Sequence, residues 1–116
     1  MGYWVSLCDP KGEALPVPSH KEGGVVNVDG ADVALMSVTY NYAPFFSREL
    51  DQVDGLRWLH GKKGSQTEQR MLEAITNLGF NRDPNYWAPT PGNAGHILKI
   101  LLGWAVRHPE GIWAVH

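Results

Sequence analysis

The sequence predicts one α+β domain over residues 1–116, with an antiparallel sheet of about four or five strands and about three helices packed on one face. Three observations predict it. Short β-prone runs alternate with turn signals up to residue 42. From Pro44 onward the apolar residues recur at helical spacing. The chain is 43% hydrophobic and 19% charged over 116 residues, a balance that suits one modest core and not a disordered chain.

Residues 3–8 read as the first strand. Asp9-Pro10-Lys11-Gly12 is a turn, with Asp at its first position, Pro preset for the second and Gly last. Residues 13–17 return as a partner strand, which Pro16 and Pro18 keep at an edge. A polar loop covers 19–24, a short strand 25–28, and Asp29-Gly30 signals a hairpin turn. Residues 33–42 form the strongest strand. Its core face carries Ala34, Met36, Val38, Tyr40 and Tyr42, and its other face Val33, Leu35, Ser37, Thr39 and Asn41. The second face turns polar toward the strand's end. It is either a solvent face or a binding surface built on Thr39 and Asn41.

Pro44 suits a first helical position, and Phe46, Leu50 and Val53 follow at helical spacing. Gly55 interrupts, and 56–59 adds a turn ended by Gly61. Ser65-Gln66-Thr67-Glu68 matches a capping box. The helix behind it should bury Met71, Leu72, Ile75 and Leu78, expose Gln69, Arg70, Glu73 and Thr76, and stop at Gly79. The last helix starts within 91–94. It is apolar nearly all round, with a narrow polar line of His96, Lys99, Gly103 and Arg107, so it should be central. His108-Pro109-Glu110-Gly111 ends it, and 112–115 is short enough and β-prone enough to return to the sheet. The core should include Val38, Tyr40, Leu72, Ile75, Ile97, Leu101 and Trp104.

The formal net charge is −2 and no basic tract is present, so nucleic acid is not expected as a partner. The single Cys8 has no internal disulfide partner and reads as a small apolar filler in a reducing compartment. Met1-Gly2-Tyr3-Trp4 lacks the charged start and apolar run of a secretory leader. Met1-Gly2 with Ser6 matches a myristoylation pattern only superficially, because no basic flank accompanies it. Lys99 and Gly103 interrupt the apolar run of the last helix, so no membrane span is expected and the reading is cytoplasmic. Five tryptophans against three phenylalanines is an uneven choice. Most should be core anchors, and one or two would serve as a stacking wall for a ring-shaped ligand or a partner. A homodimer would bury any exposed aromatics.

Two segments carry candidate chemistry. In 86–96 the pair Tyr86-Trp87 stands just before a helix N-terminus, where free N–H groups and partial positive charge suit anions. Thr90 or Asn93 would cap that helix, Gly92 and Gly95 permit close backbone approach, and His96 follows. The segment is either a packed N-cap or a phosphate or carboxylate site with a stacking ring. The second segment is His60-Gly61-Lys62-Lys63-Gly64. It is not a P-loop, because Lys63 stands where the hydroxyl residue belongs and a helix precedes it. It is a solvated connector or the charged rim of an anion site. The five histidines match no metal spacing, so neither metal nor cofactor is expected. Ser37 and Ser47 lack a nucleophile-elbow context, and no catalytic residue is assigned.

Four stretches carry a resemblance: 37–42 (Ser-Val-Thr-Tyr-Asn-Tyr), 55–62 (Gly-Leu-Arg-Trp-Leu-His-Gly-Lys), 86–94 (Tyr-Trp-Ala-Pro-Thr-Pro-Gly-Asn-Ala) and 108–113 (His-Pro-Glu-Gly-Ile-Trp). Through them the chain resembles a group of small, mostly uncharacterised proteins carried by bacteriophages and prophages. The resemblance implies an accessory protein working in the host cytoplasm. It would counter host antiviral defence by binding a defence protein or by sequestering a nucleotide signal. No catalytic residue comes with it. The ligand contacts expected from the residues are Thr39, Asn41, His60, Lys62, Tyr86, Trp87, Thr90, Asn93 and His96. Two rivals belong to other classes. One is an enzyme acting on a phosphorylated small molecule, with His60 or His96 as acid or base and Lys62 as anion partner. The other is a structural protein whose tryptophans only pack.

Overall fold

The computed structural model describes residues 2–17, 26–27 and 33–116. The expected loop at 19–24 and the Asp29-Gly30 turn lie outside them, as do Pro18 and His20. Strand β1 (Gly2–Cys8) runs inside an antiparallel sheet of order β2-β3-β1-β4, with β2 (Val26–Asn27), β3 (Leu35–Thr39) and β4 (Ile112–Val115). The period-two pattern of β1 sends Tyr3, Val5 and Leu7 inward and leaves Trp4 half-exposed on the outer face. Register sets Tyr3 against Val38, Val5 against Met36 and Val115, and Leu7 against Trp113, so the inward residues of three strands meet.

The Asp9–Gly12 turn forms as its residue types dictate. The Gly12 N–H donates to the Asp9 carbonyl at 2.9 Å, and Asp9 Oδ1 accepts from the N–H groups of Lys11 and Glu13. The return segment 13–17 is less regular than expected. It makes two isolated bridges, Cys8 to Ala14 and Pro16 to Val33, and no continuous ladder. Pro16 has no N–H to extend one. Among the described residues the sheet therefore consists of three strands of four or more residues plus the two-residue β2, slightly less than the four or five strands expected.

The strand expected over 33–42 also ends early, at Thr39. Thr39 Oγ1 accepts the Asn41 N–H at 3.2 Å, and Tyr40–Tyr42 closes into a 3₁₀ turn that feeds helix α1 (Ala43–Glu49), with Pro44 in its first turn. The alternation breaks there. Tyr42 is fully buried as expected, but Tyr40 is 38% exposed and is not core. α1 buries Phe46 and delivers Leu50 to the core. Val53 is 89% exposed, contrary to its helical spacing, because α1 has already ended. Asp51 Oδ2 takes the N–H groups of Val53 and Asp54 in an Asx turn. Gly55, at φ 56°, then opens a 3₁₀ turn (Gly55–Leu59) that buries Leu56 and Leu59.

Helix α2 (Gly64–Leu78) starts ahead of the expected capping box. Lys63 is the N-cap residue, and its N–H donates to Gln66 Oε1 at 2.8 Å. The first free helix donors, on Gly64 and Ser65, are met by the carbonyls of Gly111 and Pro109. Tertiary neighbours have taken the role given to Ser65. Met71, Ala74, Ile75 and Leu78 face helix α3 (Pro91–Arg107), while Leu72 stays half-exposed and is not core. The buried stripe turns with Met71, Ala74 and Leu78, and Leu72 falls beside it. Gly79, at φ 76°, ends the helix. α3 is as central as its composition implies: Ile97, Leu98, Leu101, Trp104 and Ala105 are all buried. Trp104 stacks on Trp113 of β4 at 6.4 Å between ring centroids. One core joins the inner sheet face to all three helices. Among the described residues no helix is long and apolar enough to cross a membrane.

Candidate functional site

The irregular segment before α3 is tied down by its own asparagines and tyrosines. Asp83 Oδ1 accepts the Asn85 N–H at 2.8 Å, and Asn85 Oδ1 accepts the Trp87 N–H at 3.1 Å, two successive Asx turns. Thr90 Oγ1 accepts the Asn93 N–H at 3.1 Å, so Thr90 is the N-cap of α3, with Pro91 at the first helical position. Asn93 does something else. Its side chain is buried, accepts the Asp83 N–H at 2.7 Å and donates to the carbonyls of Asn85 and Ala88 at 3.1 and 3.0 Å. An amide has two donors and one acceptor group, and all are used here on the loop's backbone. This is a clasp: one side chain on the helix satisfies three backbone groups of the segment above it.

Two tyrosines fasten the clasp to the sheet end. The Thr39 N–H donates to Tyr86 Oη at 2.9 Å, and the Tyr42 hydroxyl donates to the Tyr86 carbonyl. Their rings meet edge to face at 5.5 Å. Burial raises the Tyr42 pKa above the ordinary tyrosine value, and the Tyr86 hydroxyl raises it further, against a lowering by the Asn93 side chain. Burial likewise raises Tyr86, opposed by the hydrogen bond from the Thr39 backbone. Both hydroxyls are thus held neutral, as hydrogen-bonding groups. Asn41 Nδ2 donates to the Trp87 carbonyl at 2.8 Å and closes the outer edge.

The structure therefore brings together Thr39, Asn41, Tyr86, Trp87, Thr90 and Asn93. The close approach expected at Gly92 and Gly95 is real, but the chain itself makes it. A Cβ on Gly95 would overlap the Gly79 carbonyl oxygen, and one on Gly92 would overlap that of Asn81. Backbone fills the space offered to a ligand. The group this arrangement presents outward is the Trp87 ring, 58% exposed and braced edge-on against Tyr86 at 5.0 Å.

His60 and Lys62 lie elsewhere, along the outer edge of β4. The Val115 N–H donates to His60 Nδ1 at 3.0 Å, and the Trp113 N–H and carbonyl pair with Lys62 and Gly61 at 2.9 Å. Lys62 Nζ donates to the Trp58 carbonyl at 2.6 Å and sits 4.6 Å from the Trp58 ring centroid. These groups shield a sheet edge. His96 is half-buried in the second turn of α3. Among the described residues no group of three His, Cys, Asp or Glu side chains could hold a metal ion. Surface clefts of about 300, 390 and 380 Å³, lined in part by His108, Arg70 and Thr76 respectively, contain none of the nine expected contacts.

Sequence reasoning missed Asp83, Asn85 and Tyr42 as parts of the clasp, and Arg57 beside it. The run Asn81-Arg-Asp-Pro-Asn85 carried a signal, since Asp and Asn two residues apart before an aromatic pair are Asx-turn formers. No protein-family model matches the chain, and no curated protein or solved structure matches it.

Proposed function

We propose that this chain is a phage accessory protein that counteracts host antiviral defence by binding a defence protein, with Trp87 as an anchor of the contact. The observation that supports the reading is the exposure of Trp87 on a segment whose backbone the buried Asn93 side chain ties down. A large ring held in place before association loses little conformational freedom on binding, and tryptophan is a residue type that dominates interface energies. Sequestration of a nucleotide signal fits the clasp less well. A nucleotide needs free donors for its phosphates, and Asn93 spends both of its side-chain N–H groups on the carbonyls of Asn85 and Ala88.

The test is plating of phage on bacteria that carry a panel of defence systems, with and without this chain expressed. The reading expects plating to be restored on at least one member and the purified chain to bind a protein of that system. If plating is restored but the chain instead retains an unaltered nucleotide, sequestration replaces protein binding. Conversion of a nucleotide beyond one equivalent per chain would favour the enzyme. No restoration on any member removes the anti-defence reading.

A further inference from the structure

We infer that Tyr40, Asn41, Arg57 and Trp87 form one docking surface, and that its occupant is a carboxylate-bearing segment of a partner protein. The inference rests on the protein-binding reading above and adds the chemistry of the partner. Two hydrogen bonds and one peptide link connect these residues. Asn41 is bonded to the Trp87 carbonyl at 2.8 Å, Tyr40 precedes Asn41, and Arg57 Nη2 lies 3.3 Å from Tyr40 Oη. Arg57 comes from the 3₁₀ turn after α1 and reaches across to the end of β3.

Arg57 decides the chemistry. Its guanidinium carbon lies 4.9 Å from the Tyr3 ring centroid and 5.9 Å from that of Tyr40. Both rings lie within cation–π reach of the guanidinium, and Arg57 is exposed. The same charge opposes the rise that burial gives the Tyr3 pKa. Among the described residues the ion pairs are Arg48–Glu49 and Lys63–Glu110, and Arg57 is in neither. A guanidinium has five N–H donors in a planar fork, and Tyr40 takes one at a long distance. The rest of the fork suits a carboxylate bound through both oxygens.

Tyr40, whose hydroxyl meets that fork, and Trp87, bonded to the neighbouring Asn41, are 38% and 58% exposed. Arg, Tyr and Trp together are the composition of an interface centre. A small free acid would pair with Arg57 and leave the rings uncovered, whereas an acidic side chain within a peptide covers both. A nucleic acid fits poorly. Such a site gathers several cations along a backbone, while Lys62 and Arg70 are drawn onto Trp58 and the chain carries a net charge of −2.

The test is selection from a yeast-displayed random peptide library against the intact protein. The expected winners carry Asp or Glu beside an aromatic or aliphatic residue. Their binding should weaken with rising salt. It should fall at least about tenfold with Arg57→Gln and with Trp87→Ala, each verified as folded by its melting curve, and hold with Lys11→Gln, a charge-matched change in the remote turn. Failure to select any peptide, winners without acidic residues, or full binding by folded Arg57→Gln overturns the inference. So does a wild-type dimer in sedimentation that Trp87→Ala dissociates, since the occupant is then a second copy. The plating assay keeps the two readings apart. If the wild type and Arg57→Gln both restore plating, the function stands and this surface falls. If the wild type restores none, the anti-defence function falls while peptide binding still judges the surface.

Discussion

At its N-terminal end, α3 meets an irregular segment that buried side chains hold; at its C-terminal end, the chain meets β4 and residues 60–63, which hold each other by backbone pairing. In the first region Asn93, Tyr86 and Tyr42 sit inside and reach out to the loop. In the second, Gly61, Lys62 and Trp113 exchange main-chain hydrogen bonds, and exposed His60 adds a side-chain acceptor for the Val115 N–H. Both looked like ligand sites in the sequence for the same reason: polar residues and glycines crowded together. The difference teaches how to read such crowding. An irregular segment has backbone groups to satisfy, and the polar side chains near it are first of all the means of satisfying them. What remains for function is the group the arrangement leaves outside, and only the clasp leaves a large one.

Removing what both ends share should have the largest effect. Leu101 is fully buried midway along α3, and Leu101→Ala should cost about 2–5 kcal/mol in chemical denaturation. A loss under about 0.5 kcal/mol would place the residue at the surface and undo the assignment of the helix face.

The next pair of changes separates the two ends. Asn93→Ala leaves an N–H and two carbonyls of the clasp without partners and should cost about 2–3 kcal/mol. His60→Ala removes one partly exposed acceptor and should cost about 1 kcal/mol or less. Equal losses would mean that the clasp is no more buried in its energetics than the sheet edge. The residue types alone leave Asn93 as an N-cap, whose removal is mild, or as a ligand contact. In the structure Thr90 is the cap and Asn93 is interior, while Trp87, expected as a contact, is exposed.

Alkaline pH sharpens the comparison further. The folded-state pKa values of Tyr42 and Tyr86 are raised above their unfolded value of about 10. The native state holds these protons more tightly than the unfolded state does. The stability they contribute is therefore complete below about pH 10 and is lost as pH rises toward the folded values. Denaturation midpoints should fall in that range, and amide exchange at residues 83–90 should accelerate before exchange along β4. A flat profile to high pH, or β4 opening first, would count against the tyrosine fastening.

Much of the fold was legible because its signals are local. The Asp9–Gly12 turn, β1, the stop at Gly79, the central α3 and the return of β4 follow from turn chemistry and periodicity. The misreadings arose where a long-range partner outweighed a local signal. Gly111 and Pro109 carbonyls start α2 ahead of its Ser65 box. Thr39 and Pro44 turn the β3 pattern into a 3₁₀ turn and carry Tyr40 to the surface. Asp51 ends the helical run before Val53. For the candidate site, six of the nine expected residues gather in one place, but their bonding was not legible. Whether an asparagine faces a ligand or its own backbone depends on atoms 5–10 residues away, here Asp83, Asn85 and Ala88. Arg57 was invisible for a related reason, since its ring partners come from β1 and the end of β3.

The smallest change in stability carries the most information about function. Trp87→Ala removes a half-exposed ring and should cost no more than about 1 kcal/mol, so the variant should melt within a few degrees of the wild type. Measured beside its melting curve, phage plating on the defence strain that the wild type overcomes tests the account directly. The account predicts a folded Trp87→Ala protein that no longer restores plating. A folded variant that restores plating in full, or one destabilised as deeply as Asn93→Ala, would contradict it.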